Sequence, residues 1–338
     1  MPDGIRYLDN VTVATLLDQV AVVDVVEEAL QRHALGQSVM PAEAYLRWST
    51  EDGWARSLTL PAALGMPVRT VGAKVINGNV ANPSRGVPRA SGLVLLFDVS
   101  TGQVRTIMAA ADLSAVRTAA VSVAGLRRLA PRPVKQVLVI GAGPIGEAHV
   151  RLLCREPTVR RIWVHDLDAG RAERVAADYK QAPIRIEPVI DRASVIGRAD
   201  LIVAATTSTS AHLGLGDVRK GTLVINVGLD DCTEDLLLGA EHLVVDSWDL
   251  VAADRNRLLG RLVHSGRVTA PGGRSSPGAE QVVRAELGEL IAGVLSVRCE
   301  PEDRVVLNPF GMAVNDIAVA TAVEQRAVVQ GKGMMLPW

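Results

Sequence analysis

A glycine-rich turn is the part of this sequence best suited to bind a ligand. The run Val137-Leu-Val-Ile-Gly-Ala-Gly-Pro-Ile-Gly146 places three glycines at G-x-G-x-x-G spacing, after a short apolar strand and before a helix-compatible segment. Gly141 permits a tight turn, Gly143 lets the backbone approach a pyrophosphate, and Gly146 lets the helix pack closely on the strand. The start of the following helix would receive the phosphate charge. The pattern predicts a dinucleotide-binding site.

The acidic residue Asp166, which ends the next apolar run, favours one dinucleotide over another. A carboxylate at this position binds the adenosine ribose hydroxyls and repels a 2′-phosphate, which favours NAD(H) over NADP(H). Arg171 is a further candidate cofactor contact, with a solvated helix residue as the alternative interpretation. The remaining predicted cofactor contacts lie at the helix start and at the ends of two later strands: Pro144, Ile145, Thr206, Thr207, Ser208 and Val227.

Four cations in the first third of the chain are candidates for binding an acidic substrate: Arg47, Lys74, Arg89 and Arg117. Lys74 lies in an otherwise apolar strand, where a buried ammonium needs an anionic partner. The alternative is an edge-strand lysine that faces water. Arg117 lies in a helical stretch of small residues, from which a guanidinium can clamp a carboxylate. Arg89 follows a rigid turn, with a solvated loop arginine as the alternative.

Two adjacent carboxylates, Asp230 and Asp231, end the fifth predicted strand of the nucleotide-binding region. One of them is a candidate general acid/base, with Lys74 as a further catalytic candidate. The alternative is a cap for the following helix, and for Asp231 this interpretation is favoured. Asp316, early in the last helix, has the same capping interpretation.

The elements that must position these residues fall into two patterns. From Val134 onward strands alternate with helices, which predicts an α/β, doubly wound parallel sheet. The first third predicts a helix over 11–33, a series of hairpin strands, and a helix over 114–129 that ends before Pro131. Later segments predict a loop over 270–278, a long helix over 280–297, and a strand, turn and helix that return to the first domain. We therefore expect a Rossmann domain at 119–309 and a discontinuous α+β substrate-binding and dimerisation domain at 1–118 and 310–338.

The composition excludes several classes of protein. The chain has 338 residues, 48% hydrophobic and 22% charged, with a net charge of -1, so we expect neither nucleic acid nor an anionic membrane as partner. Three separated cysteines and six scattered histidines give no metal-binding pattern. No apolar run reaches about 18 residues, and the first residues lack a signal-peptide pattern. We expect a cytoplasmic protein.

The order of these motifs resembles the ornithine cyclodeaminase/μ-crystallin family over about residues 40–325. The resemblance rests on Lys74, the turn 98–102, the block Arg117-Thr-Ala-Ala120 and the glycine-rich turn. The segments Gly86-Val-Pro-Arg-Ala-Ser91 and Asn308-Pro-Phe-Gly-Met-Ala-Val-Asn-Asp316 most resemble the N-(2-amino-2-carboxyethyl)-L-glutamate dehydrogenase subgroup. That subgroup makes L-2,3-diaminopropionate for siderophores and peptide antibiotics.

The resemblance implies a homodimer, bound NAD(H), and binding of a substrate carboxylate by Arg47, Lys74 and Arg117. It places the catalytic aspartate at Asp230, or at Asp231 in the subgroup's pattern. Cys232-Thr-Glu-Asp replaces the Pro-Gly-Lys run of ornithine cyclodeaminases, which argues against ornithine cyclisation. The alternatives are another amino-acid reaction of the family (ornithine cyclodeaminase, alanine dehydrogenase or ketimine reductase) or a non-catalytic NAD(P)H-binding protein like the crystallin branch. A substrate with three carboxylates accords with the four candidate cations.

Overall fold

The computed structural model describes residues 4–67, 69–272 and 278–337. The chain divides into two compact units. Unit 1 comprises residues 1–117 and 312–338, and unit 2 comprises residues 118–311. The predicted divisions, after residues 118 and 309, lie within two residues of these.

The strands of the described residues, in chain order, are β1 Ile5–Leu8, β2 Ser38–Val39, β3 Ala44–Thr50, β4 Gly53–Leu64, β5 Thr70–Asn79, β6 Ala90–Phe97, β7 Val104–Ala109, β8 Gln136–Ile140, β9 Arg161–His165, β10 Arg185–Pro188, β11 Leu201–Ala204, β12 Leu223–Asn226, β13 His242–Val245, β14 Val268–Thr269, β15 Gln281–Glu286, β16 Val305–Asn308 and β17 Met334–Leu336. The α-helices are α1 Asn10–Leu17, α2 Val22–Ala34, α3 Ala111–Leu129, α4 Pro144–Leu153, α5 Ala169–Asp178, α6 Ala193–Ile196, α7 Glu234–Gly239, α8 Trp248–Ala253, α9 Leu258–His264, α10 Leu287–Ala292 and α11 Ala313–Val329.

Unit 1 is built on an eight-stranded sheet of order β17-β1-β7-β6-β5-β4-β2, with β3 also paired to β4. Only β1 and β7 run parallel among its described pairs. Helix α11 covers one face, which we call the inner face. Thr321 bonds Thr70 at 2.6 Å between their hydroxyl oxygens, and a Cβ added at Gly72 would lie 3.1 Å from Ile317 Cδ1. At the far end of α11, Glu324 pairs with Arg105 at 2.8 Å.

Cross-strand register fixes which side chains share the inner face. Leu60, Lys74, Val94 and Met108 are paired in one row across β4 to β7. All of these residues are buried. Directly paired residues point to the same side of a sheet. Lys74 therefore points to the buried inner face, beneath α11. Residues one position away lie on the opposite face, which we call the outer face.

Unit 2 is built on a nine-stranded sheet of order β10-β9-β8-β11-β12-β16-β13-β15-β14, with every described neighbour pair parallel. This confirms the predicted α/β sheet. Starting from β8, the chain first adds β9 and β10 on one side of the sheet and then β11 and β12 on the other side. Ligands of such sheets bind beyond the carboxyl ends of the strands at this reversal. The glycine-rich turn follows β8.

Two helix predictions were wrong. The segment 11–33 forms two helices, because Asp18 ends α1 and a turn precedes α2. Val20 lies in that turn and is buried, so the apolar pattern of the sequence continues across the break between the two helices. The segment 280–297 contains β15 and the short α10 instead of one helix, since burial alternates along Gln281–Glu286 as in a half-buried strand.

The other predicted elements of the described residues are present, with small shifts of their ends. The tail forms β16 and α11 as expected. Of the predicted loop 270–278, residues 273–277 lie outside the described residues. Within the described ranges, no helix has the length and apolar character that a bilayer crossing requires.

Candidate functional site

The glycine-rich turn of unit 2 has the geometry that its sequence predicts. Gly141 has φ of 101°, a conformation that favours glycine, and a Cβ there would lie 2.6 Å from the Ala205 carbonyl oxygen. A Cβ at Gly146 would lie 1.8 Å from the Gly141 oxygen, so no side chain fits there. Gly143 caps α4, and a Cβ at Gly143 would meet no heavy atom within 4 Å. The turn is tightly packed at its two ends and open at its centre, as a phosphate cradle requires.

Asp166 lies directly after β9 and contacts this turn. Its carboxylate accepts hydrogen bonds from the amides of Ala142 at 2.7 Å and Asp168 at 2.9 Å. These bonds orient the carboxylate at the carboxyl end of β9, beside the open centre of the turn. Arg171 lies in α5 and forms an exposed ion pair with Asp168 at 3.4 Å, which accords with the solvated alternative.

The loop after β11 is tied to the loop after β12 by Asp231. Its fully buried carboxylate accepts from the Thr206 hydroxyl and from the Thr206 amide at 3.3 Å. A Cβ at Gly228 would lie 2.1 Å from Asp231 Oδ2, so glycine is required above this carboxylate. Ser208 joins the same loop by donating its amide hydrogen to the Thr206 hydroxyl at 3.0 Å. Thr207 is exposed there, and Val227 follows β12.

His212 gives Asp231 a further donor, and Arg192 determines which ring nitrogen carries the proton. A guanidinium nitrogen of Arg192 lies 2.6 Å from His212 Nδ1. Since arginine can only donate, Nδ1 accepts and the proton is on Nε2. His212 Nε2 therefore donates to Asp231 Oδ1 at 3.0 Å. With these donors around it, Asp231 holds the two loops together.

Asp230 has different partners from its neighbour. It accepts from Arg257 at 2.7 Å and from the Leu258 amide, the first residue of α9, at 3.0 Å. The preceding residue, Leu229, has φ of 71° and is the one described non-glycine residue with positive φ. Such a conformation is strained for a branched side chain. The turn therefore directs two consecutive carboxylates to different partners.

In unit 1, Lys74 and Arg117 share one carboxylate, that of Asp316. Lys74 Nζ lies 2.7 Å from Asp316 Oδ2, and Arg117 Nε lies 2.8 Å from Asp316 Oδ1. Lys74 is 2% exposed and Asp316 fully buried, so the alternative of a lysine facing water is wrong. The expected anionic partner of Lys74 is Asp316. The capping interpretation of Asp316 is also wrong, because α11 begins after Met312 without a side-chain cap.

Burial changes the acidity of this cluster. Burial, and then repulsion from the Arg117 guanidinium, lower the pKa of Lys74 from 10.5 to about 8, while attraction to Asp316 and Glu43 opposes them. Ser114 also lies 3.4 Å from the Lys74 ammonium. Two cations thus share a single fully buried carboxylate, and the ammonium is able to lose its proton close to neutral pH.

The other predicted cations lie farther along the same sheet. Arg47, in β3, has its guanidinium 4.3 Å from the Trp54 ring centroid, a cation–π contact. Arg89 lies one residue before β6, and its carbonyl accepts from the Asn79 amide at 3.0 Å. Both belong to unit 1, whereas Asp230, Asp231 and the predicted cofactor contacts belong to unit 2.

Sequence reasoning missed the partners that hold these residues. Asp316, Arg257 and His212 act through contacts between segments distant in the chain, and no local spacing indicates them. The sequence did indicate that Lys74 needs an acidic partner, because a lysine in an apolar strand requires one. The strand alone does not indicate which acidic residue of the chain this is. Within the described residues no group of three metal-ligating side chains is assembled.

The chain is similar to known proteins over nearly its whole length. It is 28% identical over 320 residues to an N-((2S)-2-amino-2-carboxyethyl)-L-glutamate dehydrogenase from Staphylococcus aureus, covering 93% of this chain and 92% of that protein. The crystal structure of CmnK superposes with a TM-score of 0.88 at 32% identity, covering 99% of this chain and 98% of that one. An archaeal alanine dehydrogenase dimer with bound NAD shares the fold, with a TM-score of 0.82, 23% identity and 99% of each chain covered.

The sequence model of one family matches residues 4–331, from β1 to the end of α11. The match therefore includes the glycine-rich turn, the aspartate pair and the Lys74–Asp316–Arg117 cluster. The chain belongs to the ornithine cyclodeaminase/mu-crystallin family.

Proposed function

We propose that this protein is an NAD-dependent dehydrogenase that cleaves N-(2-amino-2-carboxyethyl)-L-glutamate oxidatively to L-2,3-diaminopropionate and 2-oxoglutarate. The observation that carries the proposal is the buried cluster in which Lys74 and Arg117 share Asp316. Two cations with one acid between them can receive a further carboxylate, which would complete the charge balance of a buried site. The similarity to the Staphylococcus aureus dehydrogenase supports this substrate.

The residues of unit 2 fit NAD. The open centre of the glycine turn suits a pyrophosphate, Pro144 and Ile145 begin the helix that faces it, and Asp166 suits ribose hydroxyls. The Thr206–Ser208 loop and Val227 would line the site beyond the strand ends. When bound, NAD would accept the hydride that leaves the glutamyl α-carbon.

The protein's residues would bind the substrate and move its protons. Lys74 and Arg117 hold a carboxylate, and Arg47 and Arg89 add positive charge toward the other end of the sheet. Loss of hydride and a proton from the CH–NH unit gives an imine, to which water adds before the C–N bond breaks. We assign the acid/base role to Asp230, because Asp231 is fully buried and engaged by Thr206 and His212.

The outer face of the unit 1 sheet supports a homodimer. Leu46, Trp48 and Leu93 lie on this face and are 62%, 45% and 42% exposed. Exposed apolar sheet surface of this kind marks protein interfaces. The dimeric state of the similar alanine dehydrogenase favours a second copy of the chain as the partner.

The test is turnover of the synthetic substrate with NAD. We expect NADH absorbance at 340 nm to rise together with 2-oxoglutarate and diaminopropionate, identified by mass spectrometry. Arg117→Ala should abolish turnover or raise KM by about a hundredfold, with NADH binding retained, because a bidentate charged contact is lost. Arg32→Ala, which removes an exposed arginine paired with Glu28, is the matched control. Loss of NADH binding in Arg117→Ala, or cyclisation of ornithine without net NADH, would contradict the proposal.

A further inference from the structure

The loop after β11 lies against the first glycine of the glycine-rich turn. A Cβ added at Gly141 would lie 2.6 Å from the Ala205 carbonyl oxygen and 3.3 Å from the Thr206 amide nitrogen. Ala205 and Thr206 are the first residues of the loop, since β11 ends at Ala204. The turn suits the pyrophosphate of NAD. The position of Thr206 therefore determines how this loop borders the site proposed for the pyrophosphate.

The carboxylate of Asp231 holds Thr206 in that position. The Thr206 hydroxyl donates to Asp231 Oδ1, and the Thr206 amide donates to Asp231 Oδ2 at 3.3 Å. The same hydroxyl accepts from the Ser208 amide at 3.0 Å, so this carboxylate shapes the loop over three residues. Asp231 is fully buried, and a buried carboxylate is costly unless hydrogen-bond donors compensate its charge. Beside a phosphate site, an uncompensated carboxylate would also repel the ligand.

His212 and Arg192 supply part of this compensation. His212 Nε2 donates to Asp231 Oδ1 at 3.0 Å, and the His212 amide donates to the Asp231 carbonyl oxygen at 2.9 Å. Arg192 holds the histidine with two guanidinium nitrogens, one 2.6 Å from Nδ1 and one 2.6 Å from the His212 carbonyl oxygen. The positive charge of Arg192 is thus linked through an imidazole ring to the buried carboxylate.

From this chain of contacts we infer that His212 and Arg192 are positioning residues for cofactor binding. They act through Asp231, which holds the Thr206 loop against the glycine-rich turn, and neither of them has to touch NAD. Without the imidazole donor, Asp231 would keep charge that repels the pyrophosphate, and the loop would be held less firmly. The inference concerns the cofactor alone and does not depend on which amino acid the enzyme oxidises.

The test measures the dissociation constants of NADH and ADP-ribose by isothermal titration calorimetry. We expect His212→Leu to bind both ligands about tenfold more weakly than the wild type, the effect of one lost hydrogen bond to a charged group. ADP-ribose should be affected as much as NADH, because it retains the pyrophosphate and lacks the nicotinamide. His212→Gln should restore most of the affinity, since its amide nitrogen can replace Nε2 as a donor to Asp231.

His242 offers a matched control in the same unit. His242 Nε2 lies 2.9 Å from Asp303 Oδ2, so His242→Leu also removes a contact between a histidine and an aspartate. His242 is the first residue of β13, which runs parallel to its neighbours β15 and β16. It therefore lies at the amino ends of the strands, the edge opposite the glycine-rich turn. We expect His242→Leu to leave both dissociation constants unchanged.

The outcomes separate this role from a purely structural one. Wild-type affinity in His212→Leu, equal weakening in His242→Leu, or no recovery in His212→Gln overturns the inference. So does weaker binding of NADH with unchanged binding of ADP-ribose, which would move the effect away from the pyrophosphate.

A second variant decides the question if His212→Leu does not fold. Arg192→Leu removes the group that orients the imidazole: a loss of NADH affinity of about threefold or more supports the inference, and a smaller loss overturns it. These measurements need no amino-acid substrate. Failure to turn over the proposed substrate would therefore contradict the proposed function and leave the roles of His212 and Arg192 standing.

Discussion

At the scale of single residues, the site depends on charges that are buried together. An unpaired ammonium of Lys74 would destabilise the buried core, because the charge loses its hydration. Asp316 compensates for this loss by pairing with both Lys74 and Arg117. The same burial lowers the pKa of Lys74 to about 8. A cation that we propose to bind a substrate carboxylate therefore loses its proton at a pH where a solvated lysine is still charged.

This shift gives the first pH prediction. Because the folded-state pKa of Lys74 is about 8, its positive charge is present below that pH and is lost as the pH rises. We expect kcat/KM for the proposed substrate, which reports groups of the free enzyme, to fall above about pH 8. Lys74→Arg keeps its charge and should lack this alkaline decline, whatever its absolute rate. The measurement is a pH–rate profile of both proteins, and the same decline in the variant would exclude Lys74 as its cause.

Residue types alone predicted part of this site. The tight turn at Gly141 and the close packing at Gly146 were predicted from spacing, because consecutive residues build that motif. The roles of the turn and of Asp166 in cofactor binding stay predictions. The need of Lys74 for an acid followed from the cost of a buried ammonium. The partner of Lys74 could not be identified from the sequence, since Asp316 lies more than two hundred residues away along the chain.

At the scale of elements, prediction from the local sequence was correct where a segment follows a single hydrophobic periodicity. The alternation of strands and helices from Val134 onward was predicted correctly, because several strands of unit 2, such as Leu201–Ala204 and Leu223–Asn226, are short apolar runs between helices. The prediction of a helix over 280–297 was wrong because Gln281, Val283 and Ala285 are buried at a spacing of two, while Leu287 begins a helix directly after them. A change of period within one apolar segment is hard to recognise without the neighbouring strand β13.

Helices α3 and α4 are joined by a buried histidine that makes stability depend on pH. His149 Nδ1 donates to the Ile145 carbonyl at 2.7 Å, and its Nε2 accepts from the Ser122 hydroxyl at 2.7 Å. Burial lowers the pKa of His149 from 6.5 to about 4, so the folded protein holds the neutral ring. Protonation of the unfolded chain then favours unfolding as the pH falls from 6.5 toward 4, by up to about 3 kcal/mol.

We therefore expect His149→Gln to lose less free energy of unfolding than the wild type when the pH is lowered from 7 to 4.5. Urea unfolding followed by circular dichroism at both pH values measures the difference. Ser122→Ala is the control, because it removes the hydroxyl partner but leaves the histidine buried. It should lower stability at pH 7 and keep the acid-side loss. An equal loss in His149→Gln and in the wild type would show that other groups cause it.

At the scale of the whole molecule, the predicted functions are divided between two units of different construction. Unit 2, with its parallel sheet, contains the predicted cofactor contacts and the aspartate pair, while unit 1, with its mixed sheet, contains every predicted substrate cation. The chain leaves unit 1 within α3 and returns to it before α11. Asp316 is on the returning segment, so the Lys74–Asp316–Arg117 cluster forms only after the entire intervening unit has been synthesised.

The outer face of unit 1 gives the last prediction. If a second copy of the chain covers Leu46 and Trp48, then Leu46→Asp with Trp48→Lys places two charges in an apolar interface, where desolvation is costly. We expect the wild type to be a dimer and the double variant a monomer in light scattering after size-exclusion chromatography. Val11→Asp is the control, since Val11 in α1 is 76% exposed on another part of unit 1. A double variant that stays dimeric would place the interface elsewhere, and a monomeric wild type would refute the dimer itself.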